Sequence, residues 1–147
     1  MKTALALGAL AALCQSVLAL TEGTYTIGAA SLLADEVLGD EGEVGVPLTF
    51  SFANGSPFQK WSFATKGSER EFAIQNASGG YINCGVELGT PCVSGTEEQV
   101  YIVEEIQGNG YELVSKQTGY FLRTVKGALQ LAEYNNNSDE KFILTPA

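Results

Sequence analysis

Phe50-Ser51-Phe52-Ala53-Asn54-Gly55 runs through Ser56-Pro57-Phe58 into Gln59-Lys60-Trp61, and the reading of this stretch decides the fold. It is a short aromatic strand, an Asn-Gly turn and a polar-x-aromatic triplet. The triplet returns as Gln99-Val100-Tyr101 and Glu140-Lys141-Phe142, at steps of 40 and 41 residues. Self-similarity at such a period means that the chain is built from copies of one unit. Other landmarks keep the same phase. Tyr25-Thr26-Ile27, Phe72-Ala73-Ile74 and Tyr111-Glu112-Leu113 each open a unit, and Gly80-Tyr81-Ile82 answers Gly119-Tyr120-Phe121-Leu122. Asn54-Gly55, Ser94-Gly95 and Asn135-Asn136 each lie five residues before the Gln or Glu of the triplet. The units run over about residues 22–66, 67–107 and 108–147.

Between the landmarks, short aromatic and β-branched runs alternate with turn signals such as Ser78-Gly79-Gly80, Asn109-Gly110 and the cluster from Asn135 to Asn137. That texture predicts an all-β domain. Three units of about four short strands cannot each bury a core alone. Closed around a pseudo-threefold axis they give a six-stranded barrel capped by three hairpins, which removes exposed sheet edges. Trp61, Tyr101 and Phe142 are then expected near the barrel interior, with the Gln or Glu two residues earlier bonding a turn. The first unit deviates by an acidic, Gly-rich insertion from Asp35 to Gly45, read as a loop.

Residues 1–19 read as a signal peptide rather than as part of the domain. Met1-Lys2 opens it, the apolar run Leu5 to Leu13 is too short to span a bilayer, and Val17-Leu18-Ala19 supplies a cleavage site. Residues 20–147 form a single secreted, extracellular domain in this reading. Eight Lys and Arg face seventeen Asp and Glu, a formal charge of −9. Such a surface repels phosphate backbones and anionic lipid, so neither a nucleic-acid nor a membrane partner is expected. Cys14 leaves with the leader; Cys84 and Cys92 are expected to form a disulfide across a tight Gly-Pro hairpin, with two buried free thiols as the alternative.

The closing triplets resemble the Q-x-W signature of ricin B-type β-trefoil lectins, whose units end in an apolar strand, an Asn-Gly turn and then Q-x-W. In outline the chain is also similar to small secreted fungal trefoil lectins and trefoil protease inhibitors. The resemblance implies an all-β β-trefoil and, in members that bind sugar, an early Asp, an aromatic platform and an Asn near the turn. A carboxylate and an amide pair with vicinal hydroxyls while a ring stacks on the C–H face of the sugar. In the first unit these roles fall to Asp35, Asn54 and Gln59. In the second they fall to Tyr81 and Asn83. In the third Arg123 stands at the early position, beside Tyr120, with Tyr134 and Asn135 downstream. No unit keeps the full set. The competing structural reading makes Tyr81 and Tyr120 packing residues, Asn54 and Asn135 turn residues, and Gln59 a partner for buried backbone groups.

The chain has no His, which removes the usual general base, the Ser-His and Cys-His nucleophile arrangements and most zinc sites. Its neighbouring carboxylates, such as Glu97-Glu98 and Glu104-Glu105, are not a pair facing across a cleft, as glycoside hydrolysis needs. The acidic cluster from Asp35 to Glu43 lacks regular calcium-loop spacing. No enzyme activity, metal or cofactor is therefore expected. Asn76-Ala77-Ser78 and Asn136-Asn137-Ser138 are N-glycosylation sequons, and Asn54-Gly55-Ser56 is a third, weakened by Pro57. The expected function is carbohydrate binding, with a glycan or polysaccharide as partner. The alternatives are a protease inhibitor acting through the Asp35 to Pro47 loop, or a trefoil whose pockets are lost and which acts as an interaction protein.

Overall fold

The computed structural model describes residues 20–106, 108 and 110–147. The expected leader over residues 1–19 and Asn109 of the expected Asn109-Gly110 turn lie outside the described residues. Aromatic and β-branched runs become strands wherever alternate side chains face the core. The first unit carries β1 (Gly23–Ala29), β2 (Glu36–Gly39), β3 (Thr49–Phe52) and β4 (Trp61–Lys66). The second carries β5 (Ser68–Asn76), β6 (Tyr81–Asn83), β7 (Val93–Gly95) and β8 (Val100–Ile106). The third carries β9 (Gly110–Ser115), β10 (Phe121–Val125), β11 (Ala128–Ala132) and β12 (Phe142–Pro146).

First and fourth strands close a six-membered antiparallel ring. Tyr25 of β1 stands opposite Trp61 of β4, Phe63 of β4 opposite Ile74 of β5, and Phe72 of β5 opposite Tyr101 of β8. Val103 of β8 then faces Leu113 of β9, Tyr111 of β9 faces Phe142 of β12, and Leu144 of β12 returns to Ile27 of β1. The residues that carry this ring fill its interior. Trp61, Tyr101 and Phe142 are fully buried, with Ile27, Phe72 and Leu113 beside them, and Phe63 meets Tyr25 and Phe72 edge-on. Each such side chain contributes about 1.5–3 kcal/mol by leaving water.

Second and third strands form three hairpins, β2–β3, β6–β7 and β10–β11, that cap one end. They are tied to one another in a triangle. Leu48 donates its N–H to Cys92 O (3.0 Å), Cys92 to Leu129 O (2.8 Å), and Phe50 to Gly127 O (2.8 Å). A six-stranded barrel with three hairpin caps around a pseudo-threefold axis is a β-trefoil.

Two expectations need correction. The stretch from Asp35 to Gly45 is not a free loop: Glu36–Gly39 is strand β2, with Leu38 fully buried. Its Gly and acidic residues mask the strand because only Leu38 joins the core, with Val37 buried on the opposite face. The long loop expected to enter a protease cleft, Asp35 to Pro47, therefore begins as a strand. Ser94-Gly95, in turn, is not a turn equivalent to Asn54-Gly55; it belongs to β7, where Ser94 faces Ile82. The link from third to fourth strand spans 53–60 in the first unit and 133–141 in the third, but only 96–99 in the second. The loop 84–92 between β6 and β7, against the turn 126–127 in the third unit, offsets that shortening, so the triplet spacing stays in phase while the strand under it moves.

Candidate functional site

Strand register defines one equivalent position in all three units. Beyond the buried Leu38, Ile82 and Leu122, the hairpins pair Gly39 with Thr49, Asn83 with Val93, and Arg123 with Gln130. At this position the first and third units open to solvent as clefts of about 220 and 540 Å³. Pseudo-symmetry thus places two concave sites where the hairpin meets the loop that carries the triplet.

In the first cleft the side chain of Gln59 is consumed by the fold. Its Oε1 accepts the Asn54 N–H (2.8 Å) and its Nε2 donates to Phe52 O (3.0 Å) and Ser51 Oγ (3.3 Å). Asn54 shapes the turn by accepting the Ser56 N–H (2.9 Å) and stays exposed at the rim. Thr49, Ser51 and Asn54 line the cleft together with Phe58, which is 44% exposed and has no role in the sequence reading. The acid at this cleft is Asp40, not Asp35. Asp40 is buried, with Oδ1 accepting the Gly42 N–H and Oδ2 accepting the Ser94 hydroxyl, both at 2.7 Å. Asp35 is exposed ahead of β2, outside the cleft, and its carbonyl accepts the Ala53 N–H (2.8 Å).

The third cleft is built on a buried ion pair. Glu140 is fully buried; its carboxylate accepts the Asn135 N–H (3.0 and 3.1 Å to its two oxygens) and the Asn136 N–H (3.2 Å). Arg123 Nη2 donates to Glu140 Oε2 (2.9 Å) and Glu133 O (2.7 Å), which fixes the guanidinium at the cleft wall. Tyr134, 52% exposed, stands with its ring 4.7 Å from that of Phe121 and donates its hydroxyl to Asn136 Oδ1 (2.8 Å). Gln130 and Asn135 add amides, and Leu88 and Gly89 of the second unit complete the lining. Of the expected residues, then, Tyr134 and Asn135 share this cleft. Tyr120 does not line it, and packs half-buried against the core.

The second unit opens a cleft of about 320 Å³ under the first-unit loop, lined by Gly42 and Val44 with Gly79, Gly80, Ser94, Gly95 and Thr96, but no aromatic ring lines it. Its short link lacks the 3-10 turn that the others carry at Pro57–Gln59 and Ser138–Glu140. Gln99 turns instead onto the backbone of the neighbouring loop, accepting the Cys84 N–H (2.7 Å) and donating to Gly85 O (2.7 Å). Tyr101 donates its hydroxyl to Gln99 Oε1 (2.8 Å) and Ile82 O (3.0 Å), and burial pushes that hydroxyl far above the usual tyrosine range. Asn83 accepts the Gly85 N–H (3.1 Å) and packs over Gly95; neither it nor Tyr81 lines the first or third cleft. Cys84 and Cys92 are joined as a disulfide.

The sequons divide. Asn76 is only 2% exposed, and the Nδ2 that would carry a glycan donates to Phe58 O (2.8 Å), so the folded chain has no room for modification there. The expected acceptor role fails because Asn76 ends a barrel strand and pins a loop. Asn54 and Asn136 are exposed.

Phe58 and Gln130 were missed because a lone aromatic in a Pro turn and a Gln in a strand carry no pattern. Leu88 did leave one: Glu87-Leu88-Gly89-Thr90-Pro91 repeats Glu43-Val44-Gly45-Val46-Pro47.

No family model matches the chain, and no curated protein matches it by sequence. Solved structures do match it in shape. The Rhizoctonia solani agglutinin aligns with TM-score 0.79 and 18% identity over 90% of this chain and 100% of its own. The Macrolepiota procera ricin B-like lectin, solved in complex with lactose, aligns with TM-score 0.75 and 18% identity over 87% and 99%. A designed threefold-symmetric protein, ThreeFoil, aligns with TM-score 0.75 and 14% identity over 85% and 99%. At these identities the likeness establishes the fold, and the chain is a β-trefoil.

Proposed function

We propose that this chain is a secreted, non-enzymatic carbohydrate-binding protein that acts chiefly through the third-unit cleft, with the first-unit cleft as a second site. One observation carries the reading: the two clefts occupy pseudo-equivalent positions, and each sets an exposed aromatic ring beside solvent-reachable polar side chains. Tyr134 stands with Gln130 and Asn135 in one, and Phe58 with Thr49 and Asn54 in the other. A pyranose presents both a C–H face and a rim of hydroxyls, and this pairing of ring and amides suits it. The buried carboxylates beside the clefts, Asp40 and Glu140, already hold loops through their hydrogen bonds, which supports binding over hydrolysis. The likeness in fold to two lectins agrees with this reading. The signal-peptide pattern of residues 1–19 supports secretion.

The test is a printed glycan array probed with the mature chain produced without glycosylation. Selective retention that Tyr134→Ala removes supports the proposal. Retention of no glycan, or retention indifferent to both Tyr134→Ala and Phe58→Ala, overturns it.

A further inference from the structure

The third-unit cleft is not made by the third unit alone. Leu88 and Gly89 belong to the loop between β6 and β7, closed at its base by the Cys84–Cys92 disulfide, yet they line the cleft over β10 and β11. The loop is fastened to that floor. Gly89 donates its N–H to Leu131 O (3.0 Å), Pro91 bridges to Gln130, and Cys92 donates to Leu129 O (2.8 Å). Leu88 itself is 44% exposed, so core packing does not account for a large aliphatic side chain at this tip.

The first unit builds the same loop by other means. Glu43-Val44-Gly45-Val46-Pro47 matches Glu87-Leu88-Gly89-Thr90-Pro91, and both central glycines are left-handed, with φ of 88° and 81°. Gly45 likewise donates forward into the next unit, to Ser94 O (2.8 Å). Where the second loop has its disulfide, the first has Asp40, whose carboxylate takes the Gly42 N–H and the Ser94 hydroxyl. In both cases the loop is held firmly over its neighbour. The third unit has only the tight turn Lys126-Gly127 between β10 and β11, so no loop of this kind leans over the first-unit cleft.

We propose that Leu88 is a specificity-determining residue of a composite site spanning two repeats, clamping the bound sugar against Tyr134 while the disulfide holds the clamp in place. The inference rests on the carbohydrate-binding reading of this cleft. Tyr134 presents a ring for one face of the sugar, Gln130 and Asn135 address its hydroxyls, and Leu88 closes the opposite side. Preorganisation of the loop spares the ordering entropy that a free loop would lose on binding. Such a site favours sugars with an apolar edge opposite the stacked face, a contact that the first-unit cleft, lined by its own unit alone, does not offer.

The experiment compares the wild-type chain with Leu88→Ala, Val44→Ala and Cys84→Ala/Cys92→Ala on a printed glycan array and on immobilised lactose, with thermal unfolding of each variant in parallel. Leu88→Ala is expected to weaken retention by roughly tenfold at an unchanged midpoint of unfolding, as for loss of a few methylenes from a pocket. Val44→Ala, the matching tip over the second-unit cleft, which has no aromatic ring to stack a sugar, should bind as wild type. The double cysteine variant, where it folds, should weaken retention too, and adding Leu88→Ala should cost little more. If Leu88→Ala binds within about twofold of wild type while Tyr134→Ala abolishes binding, the composite site is refuted and the carbohydrate-binding reading stands. If the wild-type chain retains no glycan, both fall. If the cysteine variant does not fold, the Leu88→Ala and Val44→Ala pair decides.

Discussion

Exchanging Arg123 and Glu140 tests whether the third-unit cleft is held by a desolvated ion pair. Glu140 is fully buried, and Arg123 has 23% of its side chain exposed, with 2.9 Å between Nη2 and Oε2. Removing one partner of a buried pair costs about 3–5 kcal/mol. In Arg123→Ala the carboxylate keeps the Asn135 and Asn136 N–H groups, which places the expected loss near the lower bound, about 3 kcal/mol. Glu140→Gln retains a side-chain oxygen for Asn135 and frees an arginine that reaches solvent, so its loss should be about 1–2 kcal/mol. The first unit already contains the neutral solution: Gly39 and Gln59 stand where Arg123 and Glu140 stand, with room for a Cβ 3.5 Å from Gln59 Cγ. The double variant should therefore lose only about 2 kcal/mol, a coupling of about 2–3 kcal/mol between the sites. Urea unfolding followed by the fluorescence of Trp61, the single tryptophan, measures all three at constant m. Losses that add to within about 0.5 kcal/mol would refute a desolvated pair.

Other perturbations probe the frame that carries the clefts. Gly80→Ala would drive a Cβ into Ser94 Oγ and to 2.6 Å from Asp40 Oδ2, parting a buried hydrogen bond; a loss of about 2–3 kcal/mol by denaturant unfolding is expected. Tyr101→Phe removes the hydroxyl shared by Ile82 O and Gln99 Oε1 and should lower stability by about 1–2 kcal/mol without changing the shape of the core. Glu22 accepts the backbone N–H and the hydroxyl of Thr65, and these bonds hold its carboxyl below the ordinary value of 4.5. Its stabilising effect is present above 4.5 and fades as pH falls through the depressed value. Glu22→Gln should therefore flatten the acid limb of a pH–stability curve relative to the parent; an unchanged limb would contradict the assignment.

The barrel was legible because its interior is written at fixed phase. Trp61, Tyr101 and Phe142 each close a unit, and the polar residue two positions earlier bonds backbone as expected, although each to different partners. The hairpin cap was less legible. Strand β2 hides in a Gly-rich acidic stretch because one core side chain, Leu38, suffices to seat it, and the short second link hides behind a triplet spacing that the long β6–β7 loop restores. The clefts were half legible. Asn54, Gln59, Tyr134 and Asn135 fall at them, whereas Tyr81, Asn83, Tyr120 and Asp35 do not line them. Position along one repeat cannot reveal a wall supplied by the preceding one, as Leu88 of the second unit supplies it to the third.

The most direct test of the account is amide chemical-shift mapping of the 15N-labelled mature chain titrated with lactose and with the glycan best retained on the array. The account predicts shifts gathered on Gln130, Tyr134 and Asn135 with Leu88 and Gly89, and a weaker set on Ser51 and Asn54. Shifts confined to other surfaces, or none with any sugar, would contradict it.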